Sequence, residues 1–289
     1  MQILIIGGEG QLGSSFKELI KNNDFANFKI TTIDQLDLSQ EENIENYLSS
    51  TDFDYIINCT AYTAVDKAET DISTAHLINA LAPQWLAKYA AKKKAGIIHI
   101  STDYVFDGTG NMPLTPETKT NPNSVYGKTK LEGEKLVSQE NDKHIIIRTS
   151  WLYSPYGNNF VKTMLAQAEK KSEVNVVYDQ IGTPTLASDL AYAILSILKQ
   201  VKENKTMFIP GIYHYSNLGI CSWFDFAQMI FKFSNLPIKV NPIRSSEFKT
   251  AANRPAYSVM DSSKLRDTFN IEIPYWTDSL KKCLKILSL

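Results

Sequence analysis

A glycine-rich turn directly follows the first apolar segment of the chain, and it constrains the fold more than any other feature. The segment Gln2–Ile6 predicts a buried strand, and three glycines follow it at Gly7, Gly10 and Gly13, where a helical pattern begins. In this context the first glycine permits a tight turn, the middle one lets the backbone approach a pyrophosphate, and the third lets helix and strand pack closely. The free N–H groups of the helix N-terminus favour an anion there. The turn therefore predicts the first βα unit of a dinucleotide-binding sheet.

Short apolar runs alternate with helical patterns through the first half of the chain. The runs are β-branched and apolar, as buried parallel strands are. Such alternation predicts a parallel sheet with helices on both faces and right-handed crossovers. The predicted strands are Gln2–Ile6, Lys29–Ile33, Tyr55–Asn58, Ile97–Ile100 and His144–Arg148. The predicted helices are Gln11–Lys21, Glu41–Ser50, Ser73–Lys93 and Val125–Gln139. Ser39 followed by Glu42 resembles a capping box.

After about residue 149 the alternation loosens, and loops rich in proline and asparagine appear. The helical patterns of this half are Asn159–Lys171, Ala187–Gln200 and Trp276–Leu287, and its strand-like runs are Val174–Tyr178 and Tyr213–Ser216. We therefore predict the α/β class, a Rossmann-type doubly wound parallel sheet with a smaller C-terminal substrate-binding lobe. Residues 1–150 would bind the cofactor, with later segments returning to that sheet, and residues 151–289 would form mainly the lobe.

Size, charge and cysteine content narrow the class of protein. The chain has 289 residues, a net charge of −1 and 21% charged residues, so it can bury a large core and lacks a basic excess for nucleic acid or anionic lipid. No apolar run reaches membrane-spanning length. The three cysteines are far apart and lack a metal-binding spacing, which favours reducing cytoplasm. We expect a cytoplasmic protein with a small-molecule substrate and with no nucleic acid, membrane or metal partner.

A tyrosine and a lysine four residues apart predict a general acid/base. Tyr126 and Lys130 lie within a predicted helix, so they are neighbours on one face. A phenol titrates near ~10, and a nearby cation lowers its pKa, so we expect Lys130 to lower the pKa of Tyr126. Ser101 and Thr102 follow directly on the fourth predicted strand, where a hydroxyl could donate to a substrate carbonyl. The spacing alone would favour an ordinary solvated helix face, but the glycine turn and the hydroxyl upstream favour catalysis.

Two aspartates after the second predicted strand compete for the adenosine ribose of a dinucleotide. Asp34 ends that strand about 20 residues past the glycine turn, where an acid commonly binds the ribose. An acid there disfavours a 2′-phosphate, so Asp34 favours NADH over NADPH. Asp37 follows three residues later, and either acid could instead be a simple helix-entry residue.

Long segments of the chain resemble the extended short-chain dehydrogenase/reductases, and more narrowly the dTDP-4-dehydrorhamnose reductase family. The resemblance runs from the first predicted strand past residue 185, and a weaker match continues through Arg254-Pro255 to the C-terminal helix. The matching segments are Gly10–Gly13, Asn58–Glu69, Ser101–Gly108, Val125–Glu134, Arg148–Tyr153, Gly157–Met164 and Asp179–Thr185.

The resemblance implies reduction of the 4-keto group of dTDP-4-dehydro-6-deoxy-L-mannose to dTDP-L-rhamnose, a precursor of bacterial surface polysaccharide. The cofactor would be NADH or NADPH, and a homodimer is implied at the level of the family. The catalytic set would be Thr102, Tyr126 and Lys130, with Tyr126 as proton donor. The implied cofactor contacts are Gly10, Gln11, Leu12, Asp37, Leu38, Ala61, Tyr62 and Thr63, which join Gly7, Gly13, Asp34, Tyr126 and Lys130.

The same resemblance implies three contacts to the substrate outside the catalytic set. Asp103, beside Thr102, and Trp151 would touch the sugar, although an indole would equally suit the core. Arg254 would bind the phosphates, because a guanidinium pairs bidentately with phosphate oxygens, although a surface arginine would look the same in sequence.

Three rival functions fit the same scaffold. Sugar-nucleotide 4,6-dehydratases carry an acid directly after Thr-Asp, and Tyr104 at that position argues against dehydration. A reductase of another dTDP-4-keto-6-deoxyhexose would use the same catalytic groups. A non-catalytic regulatory subunit would keep the fold but would not need Thr102, Tyr126 and Lys130.

Overall fold

The structure, a computed structural model, describes residues 1–287. Its strands are β1 (Gln2–Ile6), β2 (Asn27–Thr31), β3 (Tyr55–Asn58), β4 (Gly96–Thr102), β5 (His144–Thr149), β6 (Leu152–Tyr153), β7 (Glu173–Val177), β8 (Ile181–Gly182), β9 (Thr185–Leu186), β10 (Gly211–His214), β11 (Cys221–Ser222) and β12 (Lys239–Ile243). Its α-helices are α1 (Gln11–Ile20), α2 (Glu41–Ser49), α3 (Val65–Ala68), α4 (Ile72–His76), α5 (Ala82–Lys92), α6 (Val125–Glu140), α7 (Phe160–Ala168), α8 (Ala187–Lys202), α9 (Trp223–Phe233), α10 (Ser263–Phe269) and α11 (Trp276–Leu287).

Six strands form one parallel sheet, in the order β10-β5-β4-β3-β1-β2. Helices α1 and α8 pack together on one side, and α2, α5 and α6 pack on the other. The predicted α/β fold with a doubly wound parallel sheet is therefore confirmed. The chain runs from β1 outward to β2 and then returns to β3 on the other side of β1, so the switch point lies between the carboxyl ends of β1 and β3.

Alternate side chains of the sheet pack into different cores. In β1, Ile3 and Ile5 belong to the core under α1 and α8, whereas Leu4 and Ile6 belong to the core under α2 and α5. This follows from the two-residue repeat of a strand buried on both faces. A third core is built from residues 153–284, with Phe226 at its centre among aromatic neighbours. The strand β10, also from the second half, instead pairs with β5 in the main sheet.

Several predicted boundaries differ from the structure, and the second strand differs most. The sequence pattern predicts Lys29–Ile33, but β2 is Asn27–Thr31, in register with β1 from Gln2 to Ile6. Pairing ends at Thr31 because its carbonyl accepts the backbone N–H groups of Gly7 and Gly8, where the glycine turn begins. Asp34 therefore lies three residues beyond the strand, and the prediction that it ends the strand was wrong.

The predicted capping box at Ser39 was also wrong. Helix α2 begins at Glu41 with Gln40 as its N-cap, and no side chain caps it. The Ser39 hydroxyl and backbone N–H instead bind the carboxylate of Asp37, each at 2.8 Å. Such local side-chain to backbone bonding competes with helix capping for short polar residues.

The long helix predicted over Ser73–Lys93 is interrupted. A π-helical segment, Leu77–Leu81, connects α4 to α5. Extra-residue turns of this kind are often found at functional sites, and this one places Asn79 against the loop after β3. The sequence pattern did not predict this segment, because apolar residues continue through it.

Within residues 1–287, no helix is both long enough and apolar enough to cross a membrane. The cysteines are free: Cys221 and Cys283 are buried, and Cys59 is half-buried at the end of β3. The same residues contain no cluster of three or more histidine, cysteine or acidic side chains suited to a metal ion.

Candidate active site

The glycine turn has the geometry that close packing of β1 and α1 requires. Gly7 has φ +90°, in the region that favours glycine, and a Cβ there would lie 2.8 Å from the Thr60 methyl carbon. A Cβ on Gly13 would collide with the carbonyl oxygen of Gly7. Neither Gly7 nor Gly13 can therefore carry a side chain, and the N-terminus of α1 stays open to a phosphate group.

A cavity of about 360 Å³ lies beside this turn, at the switch point of the sheet. Its walls come from the turn, the segment after β2, the loop after β3 and the π-helical segment. The lining residues are Ile6, Gly7, Glu9, Gly10, Thr32, Ile33, Leu36, Asp37, Leu38, Cys59, Thr60, Ala61, Tyr62 and Ile78. A crevice at the carboxyl ends of the strands, lined by apolar side chains and backbone, fits the adenosine half of a dinucleotide.

The two candidate ribose ligands differ in their relation to this cavity. Asp37 lines it, and the backbone N–H and hydroxyl of Ser39 lower the pKa of its carboxyl. Asp34 is exposed and is not among the lining residues. The geometry thus favours Asp37 over Asp34 for the ribose, and it removes the ground for inferring a preference for NADH from Asp34.

Some of the other predicted cofactor residues line the cavity, and others direct their side chains away from it. Leu38, Ala61 and Tyr62 line the cavity, whereas Leu12 packs into the core under α1, so only its backbone faces the turn. The side chain of Gln11 turns away to bind the chain between β6 and α7. Its Oε1 accepts bonds from Ser154 at 3.1 Å and Asn159 at 2.9 Å, and its Nε2 donates to Leu152 at 3.4 Å. Thr63 is exposed just beyond the lining segment.

Asn79 fixes the loop that carries Ala61 and Tyr62. Its Oδ1 accepts the backbone N–H of Tyr62 at 2.8 Å, and its Nδ2 donates to the carbonyl of Tyr62 at 3.2 Å. The same Nδ2 reaches the hydroxyl of Thr129 on α6, also at 3.2 Å. This buried amide therefore connects the cofactor side of the cavity to the helix that carries Tyr126.

The N-terminus of α6 is held by two side chains. The Ser124 hydroxyl accepts the N–H of Gly127 at 3.1 Å, and the carboxylate of Glu69 accepts the N–H of Val125 at 2.9 Å. An anion there is also favoured by the positive end of the helix dipole. These bonds fix the first turn of α6, which places Tyr126 against the end of β4.

Thr102 and Asp103 lie where β4 ends, and both are buried. The Thr102 hydroxyl donates to Asp103 at 3.0 Å and accepts the N–H of Tyr104 at 3.2 Å. Burial raises the pKa of Asp103 to about 6, although hydrogen bonds from Ser258 and Thr102 oppose the shift. The Thr102 hydroxyl and a carboxyl with a pKa of about 6 therefore lie together beside Tyr126.

Burial also raises the pKa of Tyr126, and a hydrogen bond with Thr102 opposes this shift only in part. The expectation that Lys130 lowers the pKa of this phenol was wrong. The ring of Tyr126 packs edge-on against Tyr104, with 5.4 Å between the centroids, and its side chain is 9% exposed. Desolvation of the phenolate thus outweighs the hydrogen bond with Thr102, and the neighbouring Asp103 and Tyr104 add to the upward shift of the pKa.

The ammonium group of Lys130 is directed towards β4. Its Nζ donates to the carbonyl oxygen of Ile100 at 2.7 Å and lies 3.4 Å from Nε2 of His99. Lys130 is 1% exposed, and burial lowers its pKa to about 8, although the charge of Glu134 opposes the shift. The lysine is therefore buried one turn after Tyr126 and can change its charge near neutral pH.

Trp151 lies in the third core at the start of the C-terminal half. It adopts φ +47°, and its ring stacks on Trp223 with 3.7 Å between centroids. Gly182 allows this, because a Cβ there would lie 2.7 Å from the indole. The ring is half-buried, so both interpretations of Trp151, as core residue and as sugar contact, are compatible with its placement.

Arg254 is paired with acid and phenol. Its Nη2 lies 2.7 Å from the carboxylate of Asp66 on α3, and its Nη1 donates to the hydroxyl of Tyr104 at 3.2 Å. Its Nε is buried and has no hydrogen-bond partner among residues 1–287. The guanidinium is therefore beside the ring that packs on Tyr126, with one donor group still free.

A buried ion pair behind the site was not predicted from the sequence. Glu134 on α6 accepts a bidentate pair of bonds from Arg148 on β5, at 2.9 and 2.7 Å, and a 2.5 Å bond from the hydroxyl of Ser101. Glu134 lies one turn after Lys130, so this pair anchors α6 against β4 and β5. The only available signal was that both residues fall inside segments that match the family.

The whole chain, residues 1–289, matches the family model described as RmlD substrate binding domain. A curated dTDP-4-dehydrorhamnose reductase of Sinorhizobium fredii is 38% identical, covering 100% of this chain and 98% of the relative. A protein of Streptomyces antibioticus, described as a probable dTDP-4,6-dihydroxy-2-methyloxan-3-one 4-ketoreductase, is 34% identical over 98% of this chain and 94% of its own length.

Two solved structures share both the fold and much of the sequence. A dTDP-4-dehydrorhamnose reductase of Clostridium acetobutylicum has a TM-score of 0.94 and 40% identity, covering 100% of each chain. A dTDP-4-dehydrorhamnose reductase of Bacillus anthracis, solved in complex with NADP, has a TM-score of 0.92 and 35% identity, covering 99% of each chain.

Proposed function

Since the chain belongs to the RmlD substrate binding domain family, we propose that it reduces the 4-keto group of dTDP-4-dehydro-6-deoxy-L-mannose to dTDP-L-rhamnose. It is an oxidoreductase of dTDP-sugars, and its cofactor is NADH or NADPH. One observation supports reduction of a keto-sugar most. Tyr126 bonds Thr102 at the end of β4, and Lys130 lies one turn further along α6 with its Nζ on the carbonyl of Ile100. The cavity beside Gly10 opens at the same end of the strands.

The residues of this chain divide the work of reduction between them. Bound at the glycine turn, the nicotinamide cofactor supplies the hydride. The Thr102 hydroxyl turns its one proton from Asp103 to the keto oxygen, and Tyr126 donates a proton to that oxygen as negative charge develops. Because burial raises the pKa of Tyr126, the phenol keeps its proton at neutral pH, which is the form that a reduction needs. The ammonium of Lys130, one turn away, stabilises the phenolate that remains.

Dehydration is disfavoured by the side chain next to Asp103. That residue is Tyr104, whose hydroxyl accepts a bond from Arg254. Burial raises the pKa of Tyr104 to about 12, so it is a poor base for removing a carbon-bound proton at neutral pH.

A reductase of a different dTDP-keto-sugar is the second candidate. It is favoured by the Streptomyces antibioticus relative, which is named as another ketoreductase and which spans 98% of this chain. Both candidates predict the same hydride and proton transfer, so only the accepted substrate separates them.

The test is a turnover assay that follows loss of NADH or NADPH absorbance with dTDP-4-dehydro-6-deoxy-L-mannose, with the product sugar identified by NMR. Turnover to dTDP-L-rhamnose is the expected result. Oxidation of cofactor only with another keto-sugar would favour the second candidate. No turnover of any dTDP-keto-sugar by folded, cofactor-binding protein would contradict the proposal.

Tyr126→Phe tests the assigned proton donor. It should lower kcat by a factor of about 10² or more while cofactor still binds. Tyr89→Phe is the matched control, because Tyr89 is also buried but donates to Glu41 on α2, away from the site. Unchanged kcat in Tyr126→Phe would remove Tyr126 from the mechanism.

We further propose that the third core, centred on Phe226, belongs to the lobe that covers the sugar nucleotide. The stacked pair Trp151 and Trp223 would then form part of its wall. A homodimer and a cytoplasmic location stay predictions, which sedimentation of the purified protein and fractionation of cells would test.

A further inference from the structure

Three buried side chains form a chain of contacts behind the proposed proton donor. Nδ2 of Asn58, at the end of β3, lies 3.1 Å from Nδ1 of His99 on β4. Nε2 of His99 lies 3.4 Å from Nζ of Lys130 on α6. Asn58 and His99 are fully buried, and Lys130 is 1% exposed. The contacts therefore lie in the buried interior, where each polar atom needs a matched partner.

The orientation of the Asn58 amide determines which ring nitrogen of His99 carries the proton. Oδ1 of Asn58 accepts the backbone N–H of Thr60 at 3.0 Å and the Thr60 hydroxyl at 2.6 Å. A backbone N–H can only donate, so this atom is the amide oxygen and the atom facing His99 is the NH₂ group. Nδ1 of His99 therefore accepts, and a neutral imidazole then carries its proton on Nε2.

His99 is neutral in this setting. Burial, and next the charge of Lys130, lower the pKa of His99 well below its ordinary value. Its Nε2–H bond is consequently directed at Nζ of Lys130. An ammonium group has only donors and would oppose this N–H, whereas a neutral amine has a lone pair that can accept it. The amine would still donate to the carbonyl oxygen of Ile100, at 2.7 Å.

We propose that His99, held by Asn58 as the Nε2–H tautomer, is a positioning residue that stabilises the neutral amine of Lys130 and so sets the pH at which this lysine changes charge. The role of Lys130 in turnover rests on the proposed reductase function, but the tautomer and the lysine titration do not. The pKa of about 8 to which burial lowers Lys130 agrees with this arrangement.

Other charged groups near Lys130 do not stabilise its neutral amine. On its own helix Glu134 raises the pKa of the lysine, but Arg148 on β5 neutralises that carboxylate with two bonds. Tyr126 keeps its proton because burial raises the pKa of the phenol, and Asp103 accepts its bond from Thr102.

The remaining elements that pack on α6 direct their charges elsewhere. Asp66 on α3 binds Arg254, Glu69 accepts the N–H of Val125, His76 on α4 meets Glu132 at the surface, and Lys88 on α5 pairs with Glu41. His99 is therefore the titratable side chain whose N–H meets Nζ of Lys130 within the described structure.

The tautomer can be measured without substrate by long-range ¹H–¹⁵N NMR of histidine-labelled protein. The chain has four histidines, so the His99→Gln spectrum identifies the signals of His99. The expected result is a protonated Nε2 and an unprotonated Nδ1 that stay unchanged through neutral pH. A protonated Nδ1 in His99 would overturn the proposal.

Changes at Asn58 should then shift the titration of Lys130. Asn58→Ala removes the donor to Nδ1 without adding charge, and Asn58→Asp accepts from Nδ1–H. Both let Nε2 become an acceptor, which stabilises the ammonium form of the lysine. The Lys130 Cε signal in ¹³C-lysine-labelled protein should titrate about one pH unit higher in each variant, and the alkaline limb of kcat/KM should move the same way.

His214→Gln is the matched control. His214 is equally buried, but its Nδ1 donates to the carbonyl oxygen of Leu114 and it does not contact Lys130. Its substitution should leave both the lysine titration and the alkaline limb in place. If the His99 tautomer changes in Asn58→Ala while the Lys130 titration does not, the proposal is wrong. A normal lysine shift in a protein that turns over no keto-sugar would instead refute only the reductase function.

Discussion

At the scale of single residues, desolvation controls the chemistry of the site more than paired charge does. Tyr126, Asp103 and Lys130 are all buried, and in each case burial is the largest influence on the pKa. Burial favours the neutral form of each group, so it keeps the proton on the phenol and weakens the lysine's hold on its own proton. A protonated phenol suits a reduction, because the phenol must begin with its proton.

Thr102→Val should separate hydrogen bonding from shape at the keto oxygen. Valine preserves the branched side chain but removes the hydroxyl, so kcat should fall by roughly 10²-fold while cofactor affinity stays constant. Steady-state kinetics and a cofactor titration measure the two quantities. Thr102→Ser keeps the hydroxyl and should retain most of the activity. Equal losses in both variants would point to packing and not to the hydrogen bond.

At the scale of elements, α6 carries two of the three proposed catalytic side chains, Tyr126 and Lys130, and hydrogen bonds fix the helix on either side of them. Glu69 and Ser124 bind its first N–H groups, and Glu134 binds Arg148 and Ser101 behind it. Glu69, Ser101 and Arg148 all lie outside α6, and their bonds hold the helix against β4 and β5. This places Tyr126 beside the end of β4.

Glu69→Ala should therefore destabilise the protein and lower activity together. Loss of the acceptor for the Val125 N–H should cost about 1 kcal/mol in free energy of unfolding, a magnitude typical of a lost helix cap. Urea denaturation measures this, and kcat should fall because Tyr126 is the next residue. Glu69→Gln keeps an oxygen acceptor and should recover most of both losses. A stable but inactive Glu69→Gln enzyme would assign Glu69 a direct chemical role.

At the scale of the whole molecule, contacts distant in sequence join the two halves of the chain. Arg254 reaches back to Asp66 and to Tyr104, and Gln11 reaches forward to Ser154 and Asn159. Both sets of bonds lie beside the proposed cofactor and substrate sites. A nucleotide sugar bound there would therefore contact side chains supplied by both halves.

Arg254→Ala tests whether this arginine binds the substrate's phosphates. KM for the dTDP-sugar should rise about tenfold, since a charge-assisted bidentate contact is lost. The melting temperature should change little, because the pair with Asp66 is 29% and 44% exposed and such pairs add little stability. Lys264→Ala removes another partly exposed ion pair, with Glu117, and should leave KM unchanged. An unchanged KM in Arg254→Ala would make the arginine structural.

Acid should destabilise the fold through its buried histidines. Burial lowers the pKa of His214 to about 3, from 6.5 as the ordinary value. The unfolded chain binds a proton below about 6.5 and the folded chain does not, so stability is full above that pH and is lost progressively as the pH falls towards 3. Urea denaturation at several pH values measures this slope. His214→Gln should flatten it, and an unchanged slope would assign the acid loss to other groups.

Much of the sheet was predictable because its signals are local. The predicted β1 and β3 match the structure residue for residue, and the predicted C-terminal helix, Trp276–Leu287, is α11. Boundaries failed where tertiary bonds ended an element early, as at Thr31, or where the π-helical segment interrupted a helix. Tyr126 and Thr102 lie together as predicted, but the pKa of Tyr126 shifts in the direction opposite to the prediction, since burial is not visible in residue spacing.

The sequence by itself determined the parallel sheet and the position of the glycine turn. Both depend on short-range properties: apolar periodicity along each strand, and the absence of a side chain where Gly13 meets Gly7. Only the tertiary structure decided that Lys130 faces Ile100 and His99, that Arg254 pairs with Asp66, and that Asp37, not Asp34, lines the cavity. Partner choice and protonation depend on which distant segments exclude water from a group, and that is set only when the chain has folded.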